Sequence, residues 1–374
     1  MQLPSQHEEY HTHHSINIIS DNNFTDYRFP GSGTSEDPYI IEGYRIENEN
    51  KYGIQINSTT KHFIIRNCHV NALYFCIFIS DVAEGTAVII ENTCTQTVVG
   101  IFLNSTSGST LINNTCYSFS YGIYLRNSSS SILSNNICSH SHGIGIHLIY
   151  SPGSILINNT CNDNFCGALG NVLTGVGIFL NSSDSILINN TCNDNYDSGI
   201  YLENTSSTLN NNTCYNNNFG IFLIDSSFST LTNNYFKKNE HGIYLISSLS
   251  CKIIFNLILE TYRYGINLKS DSKNNIIHHN TFEDNNFEGD SQAYDDGLNN
   301  TWYDVSRNEG NCWLDWSGIG NYSIDGIAHS VDPFPLKCII ITEEPNNLSM
   351  IIVLLLLGLV SKIFFLINRK KKNS

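Results

Sequence analysis

An eleven-residue phrase, SILINNTCNDN, stands at residues 154–164 and again at 185–195, 31 positions further on. Its Asn-Asn-Thr-Cys core returns at 113–116, 158–161, 189–192 and 211–214, as Asn-Asn-Ile-Cys at 135–138, and in looser form at Asn67-Cys68 and at 92–94, mostly in steps of 22 or 23 residues. A second phrase, Gly-Ile-x-Leu or a near variant, runs in phase from Gly53, Gly100, Gly122, Gly145, Gly177, Gly199, Gly220, Gly242 and Gly265, and Cys76 fills the one gap. That makes about ten units.

Within each unit apolar residues alternate with a period of two over three to five positions, and Asn, Gly or Ser separates the runs. Such a pattern specifies short strands joined by tight turns. Near-identical consecutive units pair in register with themselves, which requires parallel strands, and a parallel coil closed by short turns is a β-helix. A leucine-rich repeat is excluded because its Leu-x-x-Leu-x-Leu spacing is absent. The fold expected is therefore all-β, a right-handed parallel β-helix of about ten coils, roughly 45 to 50 Å long at the usual strand spacing.

Two further stretches carry a family resemblance: Gly31 to Ile41 (GSGTSEDPYII), and Gly310 to Gly318 (GNCWLDWSG) with Val331 to Leu336 (VDPFPL). With the repeats they make residues 16–336 resemble the right-handed β-helices of carbohydrate-binding and sugar-hydrolysing proteins, most closely the periplasmic copper-binding NosD-like group. The resemblance implies the fold. It constrains activity little, since such helices host unrelated functions.

Leu348 to Ile367 reads as a transmembrane helix: 20 residues, almost wholly apolar, with Arg369 to Lys372 directly behind. The positive-inside rule puts that basic tail in the cytoplasm and the bulk of the chain outside, at the cell membrane. The first 20 residues offer no apolar leader, and the expectation is a start placed too late, with a signal sequence ahead of it. The organisation expected is a mobile tail at 1–15, an N-terminal cap at 16–50, coils at 51–290, a closing segment at 291–338 holding Trp302, Trp313 and Trp316, a linker at 339–347, the span at 348–367 and the tail at 368–374. With a net charge of −15, a nucleic-acid partner is excluded, because phosphate binding needs a concentrated basic surface.

If Ile and Leu of each Gly-Ile-x-Leu strand point inward, the residue between them points outward. Down the coils that position reads Gln55, Phe78, Phe102, Tyr124, His147, Phe179, Tyr201, Phe222, Tyr244 and Asn267. Phe102, Tyr124, His147, Phe179, Tyr201, Phe222 and Tyr244 are the candidate binding residues. They are read either as rings that stack to stabilise exposed strands or as a platform for sugar rings or a partner protein. The step from Gly145 to Gly177 is about nine residues longer than the period, and insertions in solenoids commonly form loops over the working face.

Cys68, Cys94, Cys116, Cys138, Cys161, Cys192 and Cys214 form a column with Phe236 and Phe282 in equivalent slots, so the slot is apolar and inward. Asp163 and Asp194 occupy one slot of successive units, with Asp284 in the matching slot later, and are candidates for acid–base work or Ca²⁺; a simple Asn-Asp-Asn turn is the competing account. Ser141-His142-Gly143 lacks the partners a polygalacturonase-like site needs, leaving His142 a weak catalytic candidate. The NosD-like resemblance implies copper, for which His140, His142, His147 and the N-terminal His7, His11, His13 and His14 are the candidate imidazoles. No cofactor is otherwise expected. The first functional expectation is a membrane-anchored surface module that binds glycan or protein without catalysis. The alternatives are a polysaccharide hydrolase, lyase or epimerase, and a copper-maturation accessory.

Overall fold

The computed structural model describes residues 10–47, 50–165, 175–287 and 289–338. Contacts divide the chain into Met1–Lys337 and Cys338–Ser374, and only Cys338 of the second unit is described. The expected span at 348–367, with its linker and tail, lies outside the described residues. Among the described residues no helix is long and apolar enough to cross a membrane.

The described residues up to Lys337 form a parallel β-solenoid with three faces. Strands such as Val176–Asn181 build the ring face, within a 15-stranded sheet. Strands such as Ile186–Ile188 build the leucine face, an 11-stranded sheet running from Tyr39–Glu42 to Ile276–His278. Strands such as Thr213–Tyr215 build the cysteine face, a 5-stranded sheet extended toward the N-terminus by single bridges from Thr115 through Ile137, Thr160 and Thr191 to Thr213. The ladders between successive coils are parallel and follow the repeat, as where Leu187 pairs with Leu156 on one side and Leu209 on the other, and the closing segment holds an antiparallel pair, Tyr322–Ser323 with Val331–Asp332.

Each corner has its own device. Between leucine and cysteine faces the first Asn of each pair turns the chain in the left-handed region, as at Asn158 (φ 55), Asn189 (φ 56) and Asn211 (φ 57), a conformation Asn tolerates better than most residues. The second Asn turns inward and is fully buried at 114, 136, 159, 190 and 212. Its Nδ2 donates to the Oδ1 of the next copy, 3.0 Å from Asn159 to Asn190 and 2.9 Å from Asn190 to Asn212. A second ladder, Asn164 to Asn195 to Asn217 to Asn239, seals the corner between the cysteine and ring faces. The glycine in the second position of most ring-face strands is dictated by packing: a Cβ on Gly177 would lie 2.5 Å from the Gly199 carbonyl oxygen of the next coil.

The core stacks Ile and Leu from the ring face, Leu from the leucine face and Cys from the third face, all fully buried in most coils. Cys94 pairs with Cys116, and Cys214 with Phe236. Cys68, Cys76, Cys94, Cys116, Cys138, Cys161, Cys192, Cys214 and Cys251 are free and buried. The neighbouring Cys138 thiol, with desolvation, raises the pKa of Cys116 far above the ordinary value, and desolvation, with the Cys161 thiol, does the same for Cys138, so these groups stay protonated and inert. Cys68 does not belong to the column: Val70 is the residue that pairs with Cys94, while the Cys68 N–H donates to Asn92 Oδ1 at the end of the Asn ladder.

The described residues 16–47 are a coil in their own right, with Ile16–Ile18 pairing with Ile54–Ile56 and Tyr39–Glu42 with Phe63–Arg66. The plug over this end is the short helix Asn23–Asp26, whose buried Phe24 stacks on Tyr39 at 4.5 Å. Within the expected tail, His11–Thr12 pairs with Tyr44–Arg45. At the other end Ala293–Asp295 adds a rung to the ring face. Phe282, Trp313 and Tyr322 stack at 4.1 Å spacings, Trp302 is buried beside them and Trp316 is partly buried.

Candidate functional site

The register places the candidate rings in one line. Phe102 pairs with Tyr124, Tyr124 with His147, His147 with Phe179, Phe179 with Tyr201, Tyr201 with Phe222, and Phe222 with Tyr244. Ring centroids are 4.7 Å apart for Phe102 and Tyr124 and 5.0 Å for Phe179 and Tyr201. A parallel second column stands at the start of the strands, where Tyr121, Ile144 and Val176 pair in turn, as Phe219 does with His241 further on. The line is not an open stripe along its length. His147, Phe179 and Tyr201 are 6%, 3% and 4% exposed, because Ile144, Val176, Tyr121, Ile149, Phe222 and Ile224 flank them and form a second apolar cluster outside the core. Single-strand alternation fixes the side on which a residue lies, but not how closely the flanking columns cover it.

Burial leaves polar atoms stranded on this face. His147 has neither ring nitrogen hydrogen-bonded, and His241 Nδ1 and Asn267 Oδ1 are also buried without a partner. Burial depresses the His147 pKa to about 3 and that of His241 to about 4, with Arg263 and Lys269 adding to the His241 shift, so both rings are neutral at pH 7.

Ionisable groups gather around the C-terminal end of the face. His241 lies beside Tyr244 (5.0 Å) and Tyr264 (6.4 Å). The Tyr264 hydroxyl donates to Asp325 Oδ2 at 3.3 Å and the Tyr294 hydroxyl to Asp296 Oδ2 at 2.9 Å. Lys269 Nζ sits 5.3 Å from the Tyr244 ring centre and 5.1 Å from that of Tyr294. Desolvation raises the pKa of Tyr264, with Asp325 adding to it, and desolvation raises Asp325 itself. A neutral imidazole, a tyrosine hydroxyl and two cations, Lys269 and the Glu240-paired Arg263, can move a proton at a sugar ring and meet an acidic substituent. Of this group only Tyr244 was a sequence candidate. Tyr264 and Asp325 are 61 residues apart, and nothing in a repeat pattern links a coil to its closing segment.

The candidate carboxylates lie elsewhere. Asp163 (φ 54) and Asp194 (φ 56) are the left-handed residues of the turn between the cysteine and ring faces. Asp163 stands 4.0 Å from His140, and Asp194 accepts from Asn216 at 2.7 Å. The competing turn account describes this geometry. His140 and His142 are exposed, with His142 edge-on to Phe119 at 5.8 Å and Phe165 at 6.3 Å, whereas His147 is buried in the ring line. Among the described residues these three do not converge as ligands, and the one group of ligand-bearing side chains close enough for a metal is His278, His279 and Asp304. His7 lies outside the described residues.

A family model described as right handed beta helix region matches residues 8–116 and 99–258. No curated protein matches the chain. Among solved structures, the A-module of the mannuronan C-5 epimerase AlgE4 of Azotobacter vinelandii is 13% identical with a TM-score of 0.53, over 85% of this chain and 91% of that one. The catalytic domain of a GH87 α-1,3-glucanase, in complex with tetrasaccharides, is 14% identical with a TM-score of 0.51, over 84% and 70%. Full-length tailspike protein 2 of an Escherichia coli O157:H7 bacteriophage is 11% identical with a TM-score of 0.53, over 84% and 44%. At these identities the likeness is one of fold.

Proposed function

The chain belongs to the right-handed β-helix region family, and from that premise we propose that it is a carbohydrate-active protein that lays a polysaccharide along its ring face. The observation that carries the reading is the group at the C-terminal end of that face, where Lys269 Nζ lies 5.3 and 5.1 Å from the ring centres of the half-buried Tyr244 and Tyr294, beside half-buried Tyr264. Part-exposed rings take the apolar face of a sugar, and the hydroxyls and the cation beside them meet its polar substituents. Lys269 and Arg263 favour a sugar that bears a carboxylate. In this reading neutral His241 takes the proton and Tyr264 returns one, with Lys269 beside the substrate carboxylate, an arrangement suited to elimination or epimerisation. The names of two similar structures, an epimerase and a glucanase, accord with this class.

The test is a panel of uronate polymers and neutral glucans, scored for retention, for new reducing ends or unsaturated products, and for solvent deuterium entering the sugar. Retention and turnover of a uronate polymer, with turnover lowered at least 100-fold by His241→Ala, is the expected outcome. Retention without turnover favours the non-catalytic platform, a reading supported by the long ring line and by the distance of Asp163 and Asp194 from it. No retention removes both. We also place the rod outside the cytoplasm, held by 348–367; the disulfide-bonded state of Cys312 suits an oxidising compartment, and protease shaving of intact cells checks this.

A further inference from the structure

The last coil brings two imidazoles together on the leucine-face edge, independently of the ring face. His278 ends the strand Ile276–His278. His279 follows in the left-handed corner slot, φ 55, where most other coils carry Asn. The corner turns consecutive side chains toward each other, and their Nδ1 atoms are 2.6 Å apart.

The protonation of this pair follows from its second contact. His279 Nε2 lies 2.9 Å from Glu309 Oε2. An ionised carboxylate only accepts, so Nε2 carries the hydrogen and His279 Nδ1 is left as a lone pair facing His278. A carboxylate holding the far nitrogen of an imidazole is the arrangement that orients metal-binding histidines. Asp304 completes the group, its carboxylate and the two imidazoles offering ligand atoms all within 4.8 Å of one another. Asp304 and Glu309 sit at the two ends of one loop, joined by a 2.7 Å hydrogen bond from the Asp304 N–H to the Glu309 carbonyl. The groups that face the site with opposing charge are few: Arg307 Nε stands 3.9 Å from Asp304 Oδ2 and is 67% exposed, so it can swing into solvent.

We propose that His278 and His279, through Nδ1, and Asp304 bind a divalent transition-metal ion, with Glu309 orienting His279 and pinning loop 303–309 to the last coil. Two nitrogens and one carboxylate oxygen suit Zn²⁺, Co²⁺, Ni²⁺ or Cu²⁺ rather than Ca²⁺ or Mg²⁺. Tetrahedral Zn²⁺ with bonds of about 2.0–2.1 Å separates two ligand nitrogens by about 3.3 Å, so binding opens the pair by less than about 1 Å. Water fills the fourth position.

The experiment titrates Zn²⁺ and Co²⁺ into the metal-free full chain in mild detergent, in a background with His7, His11, His13 and His14 replaced by Ala. One ion per chain at micromolar or lower concentration, visible absorption bands from bound Co²⁺ and a raised melting midpoint are expected. His278→Gln and His279→Asn should each abolish the Co²⁺ spectrum. Glu309→Gln should weaken binding about 10- to 100-fold, and His142→Ala should leave it unchanged. Metal-free melting midpoints show whether each variant keeps the fold, and Asp304→Asn, outside the coil itself, gives the same reading should His279→Asn not fold. Absence of binding at micromolar metal overturns the proposal and leaves the pair sharing a proton. Binding that persists in both histidine variants overturns it equally.

Discussion

At the scale of residues, the paired asparagines divide their labour, and substitution separates the two roles. Asn159 uses every polar atom of its side chain: Nδ2 donates to Leu133 O at 2.9 Å and to Asn190 Oδ1 at 3.0 Å, while Oδ1 accepts from the Asn136 N–H and Nδ2 at 3.0 Å each. Asn159→Ala strips partners from buried groups on both sides and is expected to cost about 3 kcal/mol or more. Asn158→Gly, exposed and left-handed, is expected to cost under about 0.5 kcal/mol, since Gly adopts this conformation freely; equal shifts in chemical-denaturation midpoint would contradict the division. His147 gives a different signature. Its folded pKa, about 3, lies below the unfolded value near 6.5, so the unfolded chain binds more protons and stability falls as pH drops from about 6.5 toward 3. The slope is at most about 1.4 kcal/mol per pH unit. His147→Phe, matching the rings at Phe102 and Phe179, should flatten this dependence between pH 7 and 5, and an unchanged pH profile would count against it.

At the scale of elements, the ring-face strand was legible in the sequence as to side but not as to cover. Alternation in Gly-Ile-Phe-Leu places Phe179 opposite the core, which the register bears out. The preceding Val176 and Ile144 come from other slots and close over it, and no period-two count reveals that. Cys68 failed for a related reason: its neighbour Asn67 imitates the paired asparagines, yet the ladder slot itself is filled by the thiol, so the phrase matched one position out of step. Asp163 and Asp194 were legible as turn residues, and both adopt the left-handed conformation of a turn. The ionisable group at the end of the ring face was hidden, because Lys269, Tyr264 and Asp325 belong to no repeated phrase. Burial makes a divided outcome for the rings: Phe179→Ala should lower stability by about 3 kcal/mol, whereas half-buried Tyr244→Ala, under Lys269, should cost less and act mainly on polysaccharide retention. Melting curves and affinity electrophoresis of the two variants check this; if Phe179→Ala leaves the midpoint unchanged, the rings do not form a structural layer.

At the scale of the whole molecule, coils contact mainly their immediate neighbours, so stability is close to a sum over rungs and interfaces. Every slot recurs in register, and removal of one full period should therefore leave a shorter copy of the same fold. Excision of Gly199–Phe219 joins Ser198 to Gly220 and deletes 21 residues. Since Ser198 and Phe219 are register partners, the junction keeps the residue-Gly-Ile-ring-Leu order. The coils brought together are already compatible: Asn190 would meet Asn234 as it now meets Asn212, Cys192 would meet Phe236 as Cys214 now does, and Phe179 would meet Phe222 as Tyr201 now does. Removing Gly199–Leu209 instead, 11 residues, joins a ring-face strand to the asparagine corner and throws every later face out of phase. A slip of this kind turns core side chains outward. The full-period variant is expected to keep its β-sheet circular dichroism and a cooperative transition, with the denaturant slope reduced by about one part in eleven, in proportion to the surface lost from an 11-stranded face. The half-period variant is expected to give no folded protein. Indistinguishable behaviour of the two would mean that the ends, and not the register between coils, hold the solenoid together.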